Sequence, residues 1–243
     1  MLAPARRSFL KELIWTAGLA AFGVLPSACG SNWSLLPPRP VGWAMKPLSS
    51  ARTEETVLPD GRVRLHIEHE VLRGVTPQML VWWWRNLSGE MELNGRSYAR
   101  YLIWHPIDHI HFELAKRLPD GSVGPGAVFH IVEALGADMQ NLIDARLHLR
   151  ELDEKGAIVE VRPVGLTVAQ IRGQFLPKEA GTQVISSMTL GVAGWWTELN
   201  RWMLDRFFPR SRRNAWLKHS VEEIGNLQFF LPDLYARYSQ GKT

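Results

Sequence analysis

The chain contains a single cysteine, Cys29, in 243 residues, so no disulfide framework can hold its fold. A Gly-x-Ser-x-Gly elbow is also missing, which removes the commonest serine-nucleophile arrangement. No glycine-rich phosphate or dinucleotide loop occurs, and there is neither an internal repeat nor a low-complexity tract. Net charge is only +4, and no basic array resembles a nucleic-acid reader, so nucleic acid is excluded as a partner. Arg206, Arg210, Arg212 and Arg213 are expected to form a solvated face. Leu13 to Leu25 is apolar but too short for a stable membrane span. The remaining classes are a globular binding protein and an enzyme using residues other than Ser or Cys.

Residues 1–29 carry the marks of a targeting segment and are set aside from the fold. Arg6-Arg7-Ser8-Phe9-Leu10-Lys11 matches a twin-arginine export pattern. Ser27 and Ala28 precede Cys29, a candidate lipid-attachment site, with Pro26 where such sites usually have Leu. The expectation is an exported protein, periplasmic or membrane-anchored as a lipoprotein, touching the membrane only through an N-terminal lipid anchor. Residues 30–52 are rich in Pro and Ser. Pro37-Pro38-Arg39-Pro40 predicts an extended, polyproline-like tether. The folded domain is expected over 53–243.

Within that domain the pattern alternates. Thr56 to His69 predicts a strand, a Pro-Asp-Gly turn and a second strand. Val63, Leu65 and Ile67 fall on one face, and His66 and His69 are expected at the surface. Thr76-Pro77 opens a helix running to about Leu87. Trp82, Trp83 and Trp84 leave that helix in three directions, which makes Trp83 and Trp84 candidates for a pocket wall. Strand-like segments follow at Tyr101–Trp104, Ile110–Ala115, Val128–Leu135, Asp144–Glu151, Ala157–Pro163, Leu166–Phe175 and Thr182–Gly191, punctuated by Gly- and Pro-containing turns. Trp195 to Phe208 and Ser211 to about Phe230 predict helices, ended near Pro232. Strands first and a long helix last give an α+β fold in which the helix covers one face of an antiparallel sheet and encloses a cavity.

Three separated segments carry residue types that ligate metals: His105-Pro-Ile-Asp108-His109, His130-Ile-Val-Glu133 and His219-Ser-Val-Glu222-Glu223. His219 and Glu223 are one helical turn apart on one face. Glu222, about 100° away, is expected in solvent. Glu133 lies in an apolar run, where an ionised carboxylate is costly unless paired or metal-bound. His130 faces the other side of that strand. His105 and His109 both remain open as ligands, with Asp108 as an orienting carboxylate and His111 in reserve. Nitrogen and oxygen donors together suit zinc, and iron or manganese equally tolerate them.

Gly74-Val-Thr-Pro-Gln-Met-Leu-Val-Trp-Trp-Trp84, Tyr101-Leu-Ile-Trp-His-Pro-Ile-Asp-His109, Gly181-Thr-Gln-Val-Ile-Ser-Ser and His219-Ser-Val-Glu-Glu-Ile-Gly-Asn-Leu227 occur in that order. On these segments the chain resembles the diacetylphloroglucinol hydrolase family, and the similarity spans roughly Thr56 to Leu227. The resemblance implies a helix-grip fold of the Bet v 1/START kind, a curved antiparallel sheet wrapped around a long C-terminal helix. It also implies a zinc site of His109, Glu133, His219 and Glu223, with Tyr101 contacting substrate. The implied activity is that of a hydrolase acting on a carbon–carbon bond between an acyl group and a phenolic ring, its substrate a small aromatic or phenolic ketone. Phe112 departs from the family pattern, standing where a polar substrate contact is expected. The alternative is a non-catalytic helix-grip carrier of an aromatic or lipid-like ligand.

Overall fold

The computed structural model describes residues 32–239; the targeting segment and Cys29 lie outside the described residues. Ten strands and four α-helices follow in chain order. They are β1 (Arg52–Val57), β2 (Val63–Arg73), α1 (Pro77–Arg85), β3 (Glu90–Leu93), β4 (Arg96–Ala99), α2 (Arg100–Trp104), β5 (His109–Lys116), β6 (Val128–Ala134), β7 (Leu142–Asp153), β8 (Gly156–Val161), β9 (Ala169–Lys178), β10 (Gly181–Leu190), α3 (Thr197–Phe207) and α4 (Arg210–Ser239). Eight strands form one sheet in the order β1-β2-β10-β9-β8-β7-β6-β5, and every neighbouring pair in it is antiparallel. Consecutive strands therefore pair as a meander from β5 to β10, and β10 then returns to the first hairpin.

The 30-residue α4 packs against the inner face of this sheet. Trp216, Leu217 and Val221 join Leu65, Ile67 and Leu190 in one core cluster. Leu227, Phe230, Leu231 and Leu234 join Phe129, Leu149 and Val159 in another. A sheet that holds the long last helix on its concave side is the helix-grip arrangement, in agreement with the sequence expectation. Among the described residues no helix is long and apolar enough to cross a membrane.

Several local expectations are corrected. Tyr101–Trp104 is not a strand but most of helix α2. A short apolar run has no decisive period, and Pro106 forces His105 into extended backbone, which stops the helix there. α4 does not end near Pro232 but continues to Ser239. A mid-helix proline costs about 3 kcal/mol, and burial of Phe230, Leu231 and Leu234 around it offsets that at roughly 1.5–3 kcal/mol each. The β3–β4 hairpin was not expected, although Asn94-Gly95 at its tip, with φ of 51° and 72°, is the dipeptide such turns favour. His69 is not at the surface: it is 3% exposed because β2 alternation continues through Val63, Leu65 and Ile67 to this position.

The N-terminal stretch is extended but is not a free tether. Residues 32–51 run as a strap over the domain. Trp33 and Leu35 pack on Ile110, Val132 and Ala134 of the outer sheet face. Trp43 stacks on Phe229 at 5.7 Å and donates to Asn226 Oδ1 at 3.2 Å. Arg39 is buried. Its guanidinium donates to the carbonyls of Pro106, at 2.9 Å, and of His109.

Candidate metal centre

Two strands and the last helix present polar side chains to the space between sheet and helix. On β6 the apolar positions Phe129 and Ile131 face inward, and period 2 puts Glu133 on the same side; all three line the cavity. On β5 the residue opposite Glu133 is His109. The helical spacing of four carries His219 and Glu223 to the same end of the cavity. His109, His219 and Glu223 each bring one donor atom within 4.8 Å of the others, and Glu133 stands beside both imidazoles. His109 Nε2 stands 3.4 Å from Glu133 Oε1 and 3.7 Å from Glu223 Oε1. His219 Nε2 stands 3.6 Å from Glu133 Oε2 and 3.8 Å from Glu223 Oε2.

Both imidazoles are held from behind. His109 Nδ1 donates to the Tyr101 carbonyl at 2.6 Å, and His219 Nδ1 donates to Asp108 Oδ2 at 2.9 Å. Their Nε2 atoms are therefore the ones turned inward, the orientation that outer-shell partners impose on metal-binding histidines. Asp108 is itself fixed by the N–H groups of Gly136 at 2.8 Å and Ala137 at 2.9 Å. Although burial works against its ionisation, the His219 hydrogen bond and the adjacent imidazoles hold its pKa near 2.

His105 and His109 now separate. His105 stacks on His219 with ring centroids 4.4 Å apart. Its Nδ1 accepts from the Asp108 N–H at 3.0 Å, and its Nε2 faces Glu222 Oε2 at 3.4 Å. His105 thus supports the centre from outside and aims no free nitrogen into it. Glu222 is not in solvent as expected; it is 8% exposed, bridging His105 and Lys218. His111 is on the opposite sheet face, because the ladder slips between His109 and His111.

Tyr101 stacks flat on His109, centroids 3.8 Å apart, and its hydroxyl donates to Glu133. Burial, and then the neighbouring Glu133 carboxylate, push the phenol pKa well above its ordinary value. Burial, and then the neighbouring imidazoles, push His109 well below its own. Burial raises Glu133 and, with the other carboxylates, lifts Glu223 to about 8. Burial alone would depress His219, but Glu133, the Asp108 hydrogen bond and Glu223 raise it to about 9. His109 Nε2 is buried with no hydrogen-bond partner.

These residues close one end of a cavity of about 110 Å³ whose walls include Trp84, Phe112, Phe129, Val159 and Phe175. A cavity of about 150 Å³ lined by aliphatic and aromatic side chains takes up benzene, so the scale is that of one ring. Trp84 lines the cavity. Trp83 does not: it is fully buried against Trp104 and Phe230, at 5.6 and 5.2 Å between ring centroids, in the core beyond the wall. Phe112, the departure from the family pattern, is a wall residue. Sequence reasoning missed Arg39 and Glu222. Trp33 and Trp43 were the signal for the strap that carries Arg39, since large aromatics are out of place in a solvated spacer. The Arg206–Arg213 cluster is only half solvated: Arg212 bonds the carbonyls of Phe207 and Gln140, and Arg213 pairs with Glu55.

No family model and no curated protein matches the chain. Solved structures with a similar course include Ara h 8.0201, 14% identical over 71% of this chain and 99% of that one, with a TM-score of 0.45. A START superfamily protein from Mycobacterium smegmatis is 10% identical over 70% and 98% of the two chains, with a TM-score of 0.44. The di-domain ARO/CYC StfQ from the steffimycin biosynthetic pathway is 14% identical over 75% of this chain and 53% of that one, with a TM-score of 0.43.

Proposed function

We propose that His109, Glu133, His219 and Glu223 bind one divalent metal ion, zinc first among the candidates, and that the protein hydrolyses an acyl–aryl carbon–carbon bond in a small phenolic ketone. The convergence of His109, His219 and Glu223, with Glu133 beside both imidazoles, carries the metal reading. Ligands roughly 2.0–2.2 Å from a tetrahedral zinc stand about 3.3–3.6 Å apart, close to the 3.4–3.8 Å separations between imidazole nitrogens and carboxylate oxygens here. Two carboxylates in a closed apolar end also repel each other, and a buried dication offsets that repulsion. The unpartnered His109 Nε2 is the third support.

Held by such a set, zinc supplies Lewis acidity toward a carbonyl oxygen and acidifies water. The protein's own residues do the rest. The aromatic walls orient the ring and exclude bulk water, and the closed end accepts the polar acyl group. Tyr101, kept protonated with its O–H given to Glu133, can accept through its oxygen the hydrogen bond of a phenolic hydroxyl. In the net reaction the hydroxyl of water joins the acyl carbon, the acyl–aryl bond breaks, and a proton goes to the ring carbon; a carboxylic acid and a phenol leave. The choice of this reaction rests on the family resemblance.

The second reading, a carrier without chemistry, is favoured by one observation: apart from its closed end the cavity is almost wholly apolar. Elemental analysis of the purified full chain, followed by incubation with an acylated polyphenol, tests both. One equivalent of zinc is expected, lost in His219→Ala and in Glu223→Ala, together with release of the carboxylic acid. Zinc-loaded protein that returns the acylated phenol unchanged supports the carrier. A folded, metal-free wild type that binds ligand overturns the metal centre.

A further inference from the structure

The two strands that present His109 and Glu133 inward carry a second donor set on their outer face. Ile110 is the extra residue where the β5–β6 ladder slips, and beyond it the faces exchange. Phe112 lines the cavity, so period 2 sends His111 and Glu113 outward. Glu113 pairs directly with His130 of β6. One donor atom from each of His111, Glu113 and His130 lies within 4.8 Å of the other two, and His130 Nδ1 is 3.6 Å from Glu113 Oε2.

Asp144 of β7 fixes the histidine from behind. Its Oδ1 is 2.7 Å from His130 Nε2, and a carboxylate can only accept there, so Nε2 carries the proton. Nδ1 is left with a lone pair on the Glu113 side, the orientation that carboxylates impose on metal-bound imidazoles. The other Asp144 oxygen accepts from Trp33 Nε1 at 3.1 Å, and the Trp33 ring stacks over His111 at 4.9 Å. Anchoring the strap explains His130, Asp144 and Trp33. The stack accounts for the His111 ring but not for the Glu113 carboxylate beside His130 Nδ1, nor for the three donors lying within 4.8 Å of one another.

We propose that His111, Glu113 and His130 form a second, outer-face site for a divalent cation of the zinc and copper class. Two imidazoles and one carboxylate on adjacent strands supply three ligands, and solvent completes the shell. Glu113 is 60% exposed at its side chain, so the ion exchanges freely and is held more weakly than one enclosed on all sides.

Equilibrium dialysis of the full chain against zinc chloride tests this. Wild type is expected to show a weaker class of zinc binding that His219→Ala retains. His111→Ala, His130→Ala and Glu113→Gln should each weaken that class by at least about tenfold, since even outer-shell losses cost 10–100-fold in metal affinity. Glu113→Gln keeps side-chain shape at an exposed position, so its result does not depend on refolding of the core. A wild-type isotherm with no such class, or one unchanged in all three variants, overturns the site. Failure of the buried centre would instead appear as a tight class missing from wild type, independently of these variants.

Discussion

The inner and outer faces of β5 and β6 use the same residue types under opposite solvation. Inside, the His109 and Glu133 side chains are 0% and 10% exposed; outside, those of His130 and Glu113 are 19% and 60% exposed. Water settles what each arrangement needs. Outside, a charge that lacks a partner is hydrated, and an exposed pair contributes about 0–1 kcal/mol. Inside, every charge must be balanced by a neighbour, and deleting one partner of a buried pair costs about 3–5 kcal/mol. A His/Glu pattern in a sequence therefore says little until burial is known, and a buried one makes a far stronger demand for a cation.

The largest expected effect comes from the carboxylate behind the inner site. Asp108→Ala leaves His219 Nδ1 and the N–H groups of Gly136 and Ala137 without their acceptor, and urea unfolding should show a loss of about 3–5 kcal/mol. Arg39→Met comes next. It removes the guanidinium donors from the His109 carbonyl and from the Pro106 carbonyl, which keeps only the backbone N–H of residue 39, for about 1–3 kcal/mol of stability. Because one of those carbonyls belongs to a proposed ligand, zinc affinity should fall about 10–100-fold as well. Equal affinity in the variant would mean that the strap only covers the site.

A third test uses His69, which accepts or donates a hydrogen bond with Ser186 at 3.0 Å. Burial lowers its pKa from 6.5 to about 3. Between those values the unfolded chain binds a proton that the native one does not, so this group makes stability fall as pH drops from 6.5 toward 3. Its share of the slope is at most about 1.4 kcal/mol per pH unit. His69→Gln should remove one proton's worth of that slope in acid unfolding, and an unchanged slope would assign acid sensitivity to other histidines. The smallest effect belongs to the outer face. Asp144→Ala, in zinc-free buffer, should change stability by about 1 kcal/mol or less. A loss as large as that of Asp108→Ala would erase the contrast between the faces.

Much of the fold was legible because burial leaves a period. β6 to β10 were found within a few residues by alternation and by the turns between them. The inner donors were legible for a related reason: a carboxylate in an apolar strand and a His-Glu pair one helical turn apart both break the expected pattern. The choice between His105 and His109 was not legible, since a loop following Pro106 carries no periodicity. Nor was the slip at Ile110, which depends on how β5 meets β6 rather than on either strand alone. Asn94-Gly95 was legible and overlooked. Pro232 shows the reverse, a strong local signal overridden by the apolar residues around it.

The strap has a consequence for the order in which the molecule is made. Residues 32–51 are synthesised before the side-chain partners of Arg39, Trp33 and Trp43, which lie 67 to 183 positions downstream: Pro106 and His109 for Arg39, Asp144 for Trp33, Asn226 for Trp43. The earliest part of the described chain is thus the last that can be seated, and Trp43 reaches its place only after Asn226 of the final helix has been synthesised. Chains truncated before that helix lack the Asn226 acceptor, and docking of Trp43 marks a chain in which α4 has been made.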